Sequence, residues 1–254
     1  MVDKLEPDAT RSLDELLETL GRLDRLLAQA IALAQTIYGA EAATDRYRGL
    51  HITPGEAERL LAQAPGAPIL YCPADVVESI APSTRFAWLQ RAYQLSPFEM
   101  DVVAIALAPE FDLRYERLYA YLQDNVTRKR PTVDLALNLL CSSVEAKLQQ
   151  RQVFASDAPL VRHHLLHLVS DQPHAPLLTQ SFRLDEQILR LLLGQNSLDG
   201  RLDRCCDRTV PTVRLEALPL KREVKQALWA LLRTAKHQPL QLYFQGVQGS
   251  GRRW

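Results

Sequence analysis

Along residues 96–141 the apolar positions fall into three helical blocks with almost no spacer between them. Ser96, Pro97 and Glu99 have the order of a capping box with proline at the first helical position, and Val102, Val103, Ile105, Ala106 and Leu107 follow as a nearly all-apolar run. The pattern predicts a buried helix that stops before Pro109, because proline has no N–H to continue the ladder. Asp112 is placed to cap a second helix, in which Tyr115, Leu118, Tyr119 and Leu122 recur at helical spacing. A basic turn, Arg128-Lys129-Arg130, leads through Pro131 into a third helix, Thr132 to Leu140, with Val133, Leu135, Leu137, Leu139 and Leu140. Three short helices with tight turns predict a helix-turn-helix core.

The flanks extend this pattern. After a Ser12–Glu15 capping box, Leu13, Leu16, Leu20, Leu23, Leu27, Ala30, Ala34 and Ile37 recur in alternating steps of three and four, which predicts a long helix. Leu17, Leu26, Ile31 and Leu33 widen its stripe, so that packing inside a bundle and self-association as a coiled coil both satisfy it. Prolines and glycines break residues 41–82 into short elements, among them a helix opened by Thr53-Pro54-Gly55-Glu56 and carrying Ala57, Leu60 and Leu61. Ser83 can cap a helix through Phe86, Trp88 and Leu89. Beyond Cys141, Ala146 to Gln152 is polar and helix-favouring. Leu165 to Val169 and Leu177 to Phe182 read as two strands joined by the loop Ser170 to Pro176, a wing. Leu184, Ile188, Leu191 and Leu192 form a closing helix, with Gly194 where a left-handed cap belongs. Residues 195–219 read as a charged linker, Lys221 to Lys236 as an amphipathic helix and Leu240 to Phe244 as a short strand.

The expected fold is therefore mainly α. It comprises a heptad helix over 1–40, short helices and turns over 41–82, a winged-helix domain with a small β-hairpin over 83–195, a linker over 196–219, and the first helix and strand of an α/β module over 220–254.

Composition narrows the function classes. Hydrophobic content of 47% with 24% charged residues is that of an ordinary globular chain, and thirty basic residues balance thirty acidic ones. No global field draws the chain to nucleic acid or anionic lipid, so such contact needs a local patch. Cys72, Cys141, Cys205 and Cys206 lack metal-ligand pairing, and the vicinal Cys205-Cys206 is too close for an ordinary structural disulfide, which fits a reducing cytoplasm. Without an apolar leader or a run of roughly twenty apolar residues, neither secretion nor a membrane span is expected.

Three groups are candidates for chemistry. Gly246-Val247-Gln248-Gly249-Ser250-Gly251-Arg252-Arg253 follows a predicted strand and has the frame of a phosphate-binding loop, whose glycines let backbone N–H groups close around phosphate oxygens. Arg252 stands in the lysine slot and Arg253 in the magnesium-ligating Ser/Thr slot. His163 and His167 are four apart, but no H-E-x-x-H is present and the second falls in a predicted strand, which argues against a metal site. Arg128-Lys129-Arg130 precedes the third helix, which takes the recognition position of a winged-helix reader yet holds no Arg or Lys between Thr132 and Leu140. No Ser-His-Asp, Cys-His or paired-carboxylate set can be argued from spacing.

The string LSPFE, followed by ALAPEFDLRYERLYAYLQDNVTRKRPTVDLALNLLC, resembles the winged-helix region that precedes the ATPase module in a family of bacterial AAA+ ATPases, some of them found alongside extracellular contractile injection systems. The similarity takes in RYRGLHIT (Arg46 to Thr53), APLVRHHLLHL (Ala158 to Leu168) and RLDEQILRLLLG (Arg183 to Gly194), and so most of the chain from Arg46 onward. It implies that residues 220–254 begin an AAA+ module with Gly246, Gly249, Ser250, Gly251 and Arg252 around a nucleotide. ATP and Mg²⁺ would then be cofactors of a longer parent, whose acidic motif and arginine finger would lie past Trp254. The chain itself is expected neither to hydrolyse ATP nor to bind it tightly. The implied role is an adaptor that positions a protein partner or substrate assembly for an AAA+ core in cis, with homo-oligomers permitted by the heptad helix. The competing role is a DNA-binding regulator.

Overall fold

The structure, a computed structural model, describes residues 9–38, 58, 61–71, 85–170, 172–195, 213–234, 242, 243 and 245. Backbone contacts divide the chain into a unit of residues 1–199 and a unit of residues 200–254. In the first, α1 spans Ala9–Tyr38, α2 Arg85–Tyr93, α3 Pro97–Phe111, α4 Arg114–Leu122, α5 Val133–Leu140, α6 Val144–Gln150 and α7 Pro159–Arg162. Strands β1 (Leu166–Val169) and β2 (Ser181–Leu184) and helix α8 (Glu186–Leu193) complete it. Among the described residues the fold is mainly helical, with one two-stranded antiparallel sheet.

Helix α1 is already formed at Ala9, one turn ahead of the expected Ser12–Glu15 start, because Ala9 and Arg11 favour helix and carry it upstream. Its stripe of Leu16, Leu20, Leu23, Leu27, Ala30 and Ala34 is buried in the same core as α3, α4, α5 and α8, while Leu13 and Leu17 stay half exposed. The stripe that also suited a coiled coil is thus taken up within the fold. Two polar clasps flank the seam: Arg22 pairs with Asp101 of α3, and Asp24 accepts from the Tyr115 hydroxyl at 2.8 Å and the Arg114 guanidinium at 2.5 Å.

The capping box at the head of α3 forms as expected. The Ser96 hydroxyl accepts from the Glu99 N–H at 3.2 Å, and a Glu99 carboxylate oxygen accepts from the Ser96 N–H at 2.7 Å. The expected stop before Pro109 does not occur, and α3 continues to Phe111 with Pro109 inside it. Proline leaves the carbonyl four residues earlier without its helical donor. That carbonyl is Ile105's, and the buried Tyr119 hydroxyl of α4 donates to it at 2.8 Å. A tertiary hydrogen bond replaces the one proline removes. At the next start the Asp112 carboxylate accepts the Arg114 N–H at 2.9 Å, although the N-cap position itself is taken by Leu113, one residue later than expected.

β1 and β2 pair from Leu166↔Leu184 to Val169↔Ser181. The expected second strand, Leu177 to Phe182, is corrected: Leu177–Thr179 is a 3₁₀ turn and the strand is Ser181–Leu184. Pro176 opens that turn, whose Thr179 N–H and hydroxyl both donate to the Pro176 carbonyl, at 3.0 and 2.8 Å, and the alternation of buried Phe182 and Leu184 with exposed Arg183 carries the pleat instead. The wing loop therefore runs over residues 170–180. Asp185 caps α8, which ends at Gly194 with φ +78°. That left-handed conformation calls for glycine, while the Arg85 guanidinium that a Cβ would meet is the end of a flexible side chain and can move aside.

In the second unit α9 spans Arg222–Thr234, within the expected Lys221 to Lys236, and a 3₁₀ turn spans Leu215–Ala217. Of the predicted helix opened at Thr53, Glu58 and Leu61 are described and both are helical, whereas of the predicted strand over Leu240 to Phe244, Leu242 and Tyr243 are described and lie in no strand; the Ser83 cap and most of the linker lie outside the described residues. Among those described, no helix is long and apolar enough to cross a membrane.

Candidate interaction surface of the helix-turn-helix

The helix expected in the recognition position is α5, and the structure overturns that placement. Val133, Leu135, Ala136, Leu137, Asn138 and Leu139 are all buried, since a run this rich in leucine can only be satisfied in a core, and Asp134 and Leu140 are the residues of α5 left partly exposed. The helix-turn-helix is one step further along. α5 ends at Cys141, whose N–H bonds the Leu137 carbonyl at 3.1 Å, Ser142 turns, and the Ser143 hydroxyl caps α6 by accepting the Ala146 N–H at 3.2 Å. A three-residue turn joining two helices is the spacing of the motif, whereas ten residues separate α4 from α5.

The sheet agrees. Thr132, just before α5, bridges to Ser181, with the Val133 N–H on the Gln180 carbonyl and the Phe182 N–H on the Pro131 carbonyl, both at 3.0 Å. The chain order is thus a bridging residue, α5, the turn, α6 with its following 3₁₀ turn Arg151–Phe154, the short α7 and then the β1–β2 hairpin. Helix α6 takes the recognition position.

The outer face of α6 is poor in cations. Lys147 turns inward with 13% of its side chain exposed, donating to Asn138 Oδ1 at 2.9 Å and lying 3.9 Å from Asp134. Asn138 Nδ2 donates to Asp134 at 2.9 Å, and Asn138 Oδ1 also accepts the Ile69 N–H at 3.3 Å. Ile69 belongs to the segment 61–71, which runs along this flank, with Leu70 buried and Gly66 (φ +75°) so close to Val144 that a Cβ would stand 3.2 Å from it. What α6 shows outward is Glu145, Leu148 and Gln149, with Leu148 63% exposed, and the 3₁₀ turn that follows adds exposed Arg151 and Gln152. The Glu145 carboxyl is held below its ordinary range by its own backbone N–H and by the Ser143 hydroxyl, so a fixed negative charge sits at the first turn.

The sequence-predicted basic cluster is exposed and firmly built. Gln123 Nε2 donates to the carbonyls of Tyr119, Arg128 and Arg130 at 3.0–3.1 Å, and its Oε1 accepts the Thr132 N–H at 3.2 Å. Asn125 Oδ1 accepts from the Thr127 N–H and hydroxyl at 2.9 and 2.7 Å. Nothing in the sequence marked Gln123 or Asn138 as braces, because their partners are backbone atoms or lie far along the chain. The Ser143 cap, by contrast, was a readable signal for α6.

Among the described residues the histidines are not gathered into one set. The His163 ring leans on Tyr93 with centroids 5.3 Å apart, His164 stacks on His167, and His167 Nε2 pairs with Asp185 at 2.9 Å. Burial pushes the Cys141 thiol pKa up, only partly opposed by Lys147, which keeps it protonated. Gly246, Gly249, Ser250, Gly251 and Arg252 lie outside the described residues.

A helix-turn-helix followed by a two-stranded wing that pairs back onto the residue before its first helix defines a winged-helix domain, a class that engages nucleic acid or protein. The chain belongs to the family described as winged helix domain, variant, whose model matches residues 76–205. Comparison with curated proteins and with solved structures finds no match.

Proposed function

We propose that this winged helix is a protein-interaction module, an adaptor that presents a partner or substrate assembly to an ATP-dependent AAA+ core in the same polypeptide. The observation that carries the first half is the state of α6: its one lysine is bonded into the fold, its first turn holds a carboxylate, and its outer face offers Leu148 among glutamines. A duplex-reading helix needs free donors for base edges and cations for phosphates. An exposed leucine among glutamines, with one carboxylate and one arginine beside it, suits a protein contact. The second half rests on the resemblance of residues 95–141 to the region preceding an AAA+ module and on the glycine-rich loop from Gly246 to Arg253, with ATP and Mg²⁺ as cofactors of the whole protein.

Two measurements test this. The reading frame past Trp254 should continue into an acidic magnesium-binding motif, and a frame without one removes the ATPase half. Substituting Leu148→Asp should leave duplex DNA affinity unchanged, while sequence-selective duplex binding tighter than about 10⁻⁸ M, abolished in R128A/R130A, would favour a DNA-binding regulator.

A further inference from the structure

Between Val126 and Leu184 the chain carries seven basic and four acidic residues, a local surplus within a chain of net charge zero. One basic residue, Lys147, is tied to Asp134. Arg128, Lys129 and Arg130 stand exposed on the loop that the Gln123 amide braces from behind, and Arg183 stands exposed on β2. Pro131 and Phe182 are hydrogen-bonded in antiparallel sense, so their outward neighbours Arg130 and Arg183 occupy adjoining register positions. Among the described residues none of these three arginines has a carboxylate partner, and Lys129 is only loosely matched by Glu116 at 3.9 Å. At the apex of the same loop Val126 is 74% exposed.

We propose that the loop Asn125 to Arg130, continued by Arg183, is a docking surface for an acidic segment of a partner protein, with Val126 meeting an apolar side chain of that segment. This deepens the protein-interaction reading and rests on it. The Gln123 bonds hold the loop backbone in place before binding, so little ordering entropy opposes association. Arginine suits a carboxylate because its planar fork can take both oxygens at once. Val126 is what separates a peptide from a polyphosphate, since an exposed apolar group two residues ahead of the cationic run has no partner on a phosphate backbone. Glu116 beside Lys129, and Glu145 on α6, further disfavour a phosphate track passing over this face.

The test compares three fluorescein-labelled probes by anisotropy at physiological ionic strength: a glutamate peptide interrupted by leucines, its all-glutamate counterpart, and a DNA duplex of matched charge. The leucine-interrupted peptide should bind best, R128E/R130E should weaken it about tenfold or more, and V126S should lower it to the level of the all-glutamate peptide. All these side chains are exposed, so thermal melting should not move. Tighter binding of the duplex, lost in R128E/R130E, would overturn the protein-interaction reading as well. Absence of peptide binding, or peptide binding indifferent to R128E/R130E or to V126S, would overturn this docking surface alone.

Discussion

At Tyr119 a single hydroxyl sustains a helix through a proline. The Ile105 carbonyl, left without its helical donor by Pro109, sits in the core, where an unpaired acceptor is expensive. Tyr119→Phe should therefore destabilise the domain by about 1–3 kcal/mol in urea unfolding, beyond what the lost hydroxyl area implies. A Pro109→Ala change in the same background should recover much of that loss, because alanine restores the N–H. Leu107, fully buried on α3, should cost about 2–5 kcal/mol as Leu107→Ala, and Leu118, only half buried, should cost less. Asp101 gives a pH signature. Burial raises its pKa above the ordinary 3.8, with Arg22 opposing, so the native state retains a proton that the unfolded chain has released. Its contribution is present below that ordinary value and is lost as pH rises through the folded value. The stability of the wild type relative to Asp101→Asn should accordingly fall across the acid range, and a flat difference would remove this assignment. The Ser96–Glu99 capping box and the αL glycine were legible because each is a local rule, whereas the continuation past Pro109 depends on a tyrosine ten residues further on.

Elements were legible where periodicity is strong and less so where a role depends on neighbours. α3, α4, α5 and α8 lie close to where their apolar patterns put them, yet no periodicity states which of two consecutive helices faces outward. Only the burial of six of the eight residues of α5, and the pairing of Thr132 with Ser181, move the recognition position to α6. The second strand slipped because Leu177-Leu178 looks like a strand start but follows Pro176 into a turn. The contrast between the two helices is measurable. Leu137→Asp places a charge in the core and should abolish cooperative unfolding, whereas Leu148→Asp should leave the melting temperature unchanged. α1 belongs with the core elements. Its Ala30 and Ala34 are fully buried, so Ala30→Leu should destabilise by roughly 1–3 kcal/mol through overpacking.

For the molecule as a whole the decisive quantity is how cations are distributed. Neutral net charge removes long-range attraction to nucleic acid, and duplex affinity must then come from contacts made at the docked face. Helix α6 can contribute Arg151 there, but Lys147 is bonded to Asn138 and Glu145 stays ionised. Of the other cations between Val126 and Leu184, Arg162 ends α7, and Arg128, Lys129, Arg130 and Arg183 lie on the loop before α5 and on β2, where they can touch a phosphate backbone without reading a base. Binding of that kind is sequence-independent, in the range of about 10⁻⁴–10⁻⁶ M, and falls steeply with salt as counterions are retained. The chain should therefore bind unrelated duplexes alike and weakly in anisotropy titrations, and lose that binding as salt is raised. R128A/R130A should lower the salt slope by about two, as two phosphate contacts disappear, while Arg151→Ala should change it by at most about one. A duplex selected from random sequence that binds a thousandfold more tightly than the rest, with the preference carried by Gln149, Arg151 or Gln152, would show that α6 reads bases after all. The face around Leu148 would then be a groove contact and not a protein one.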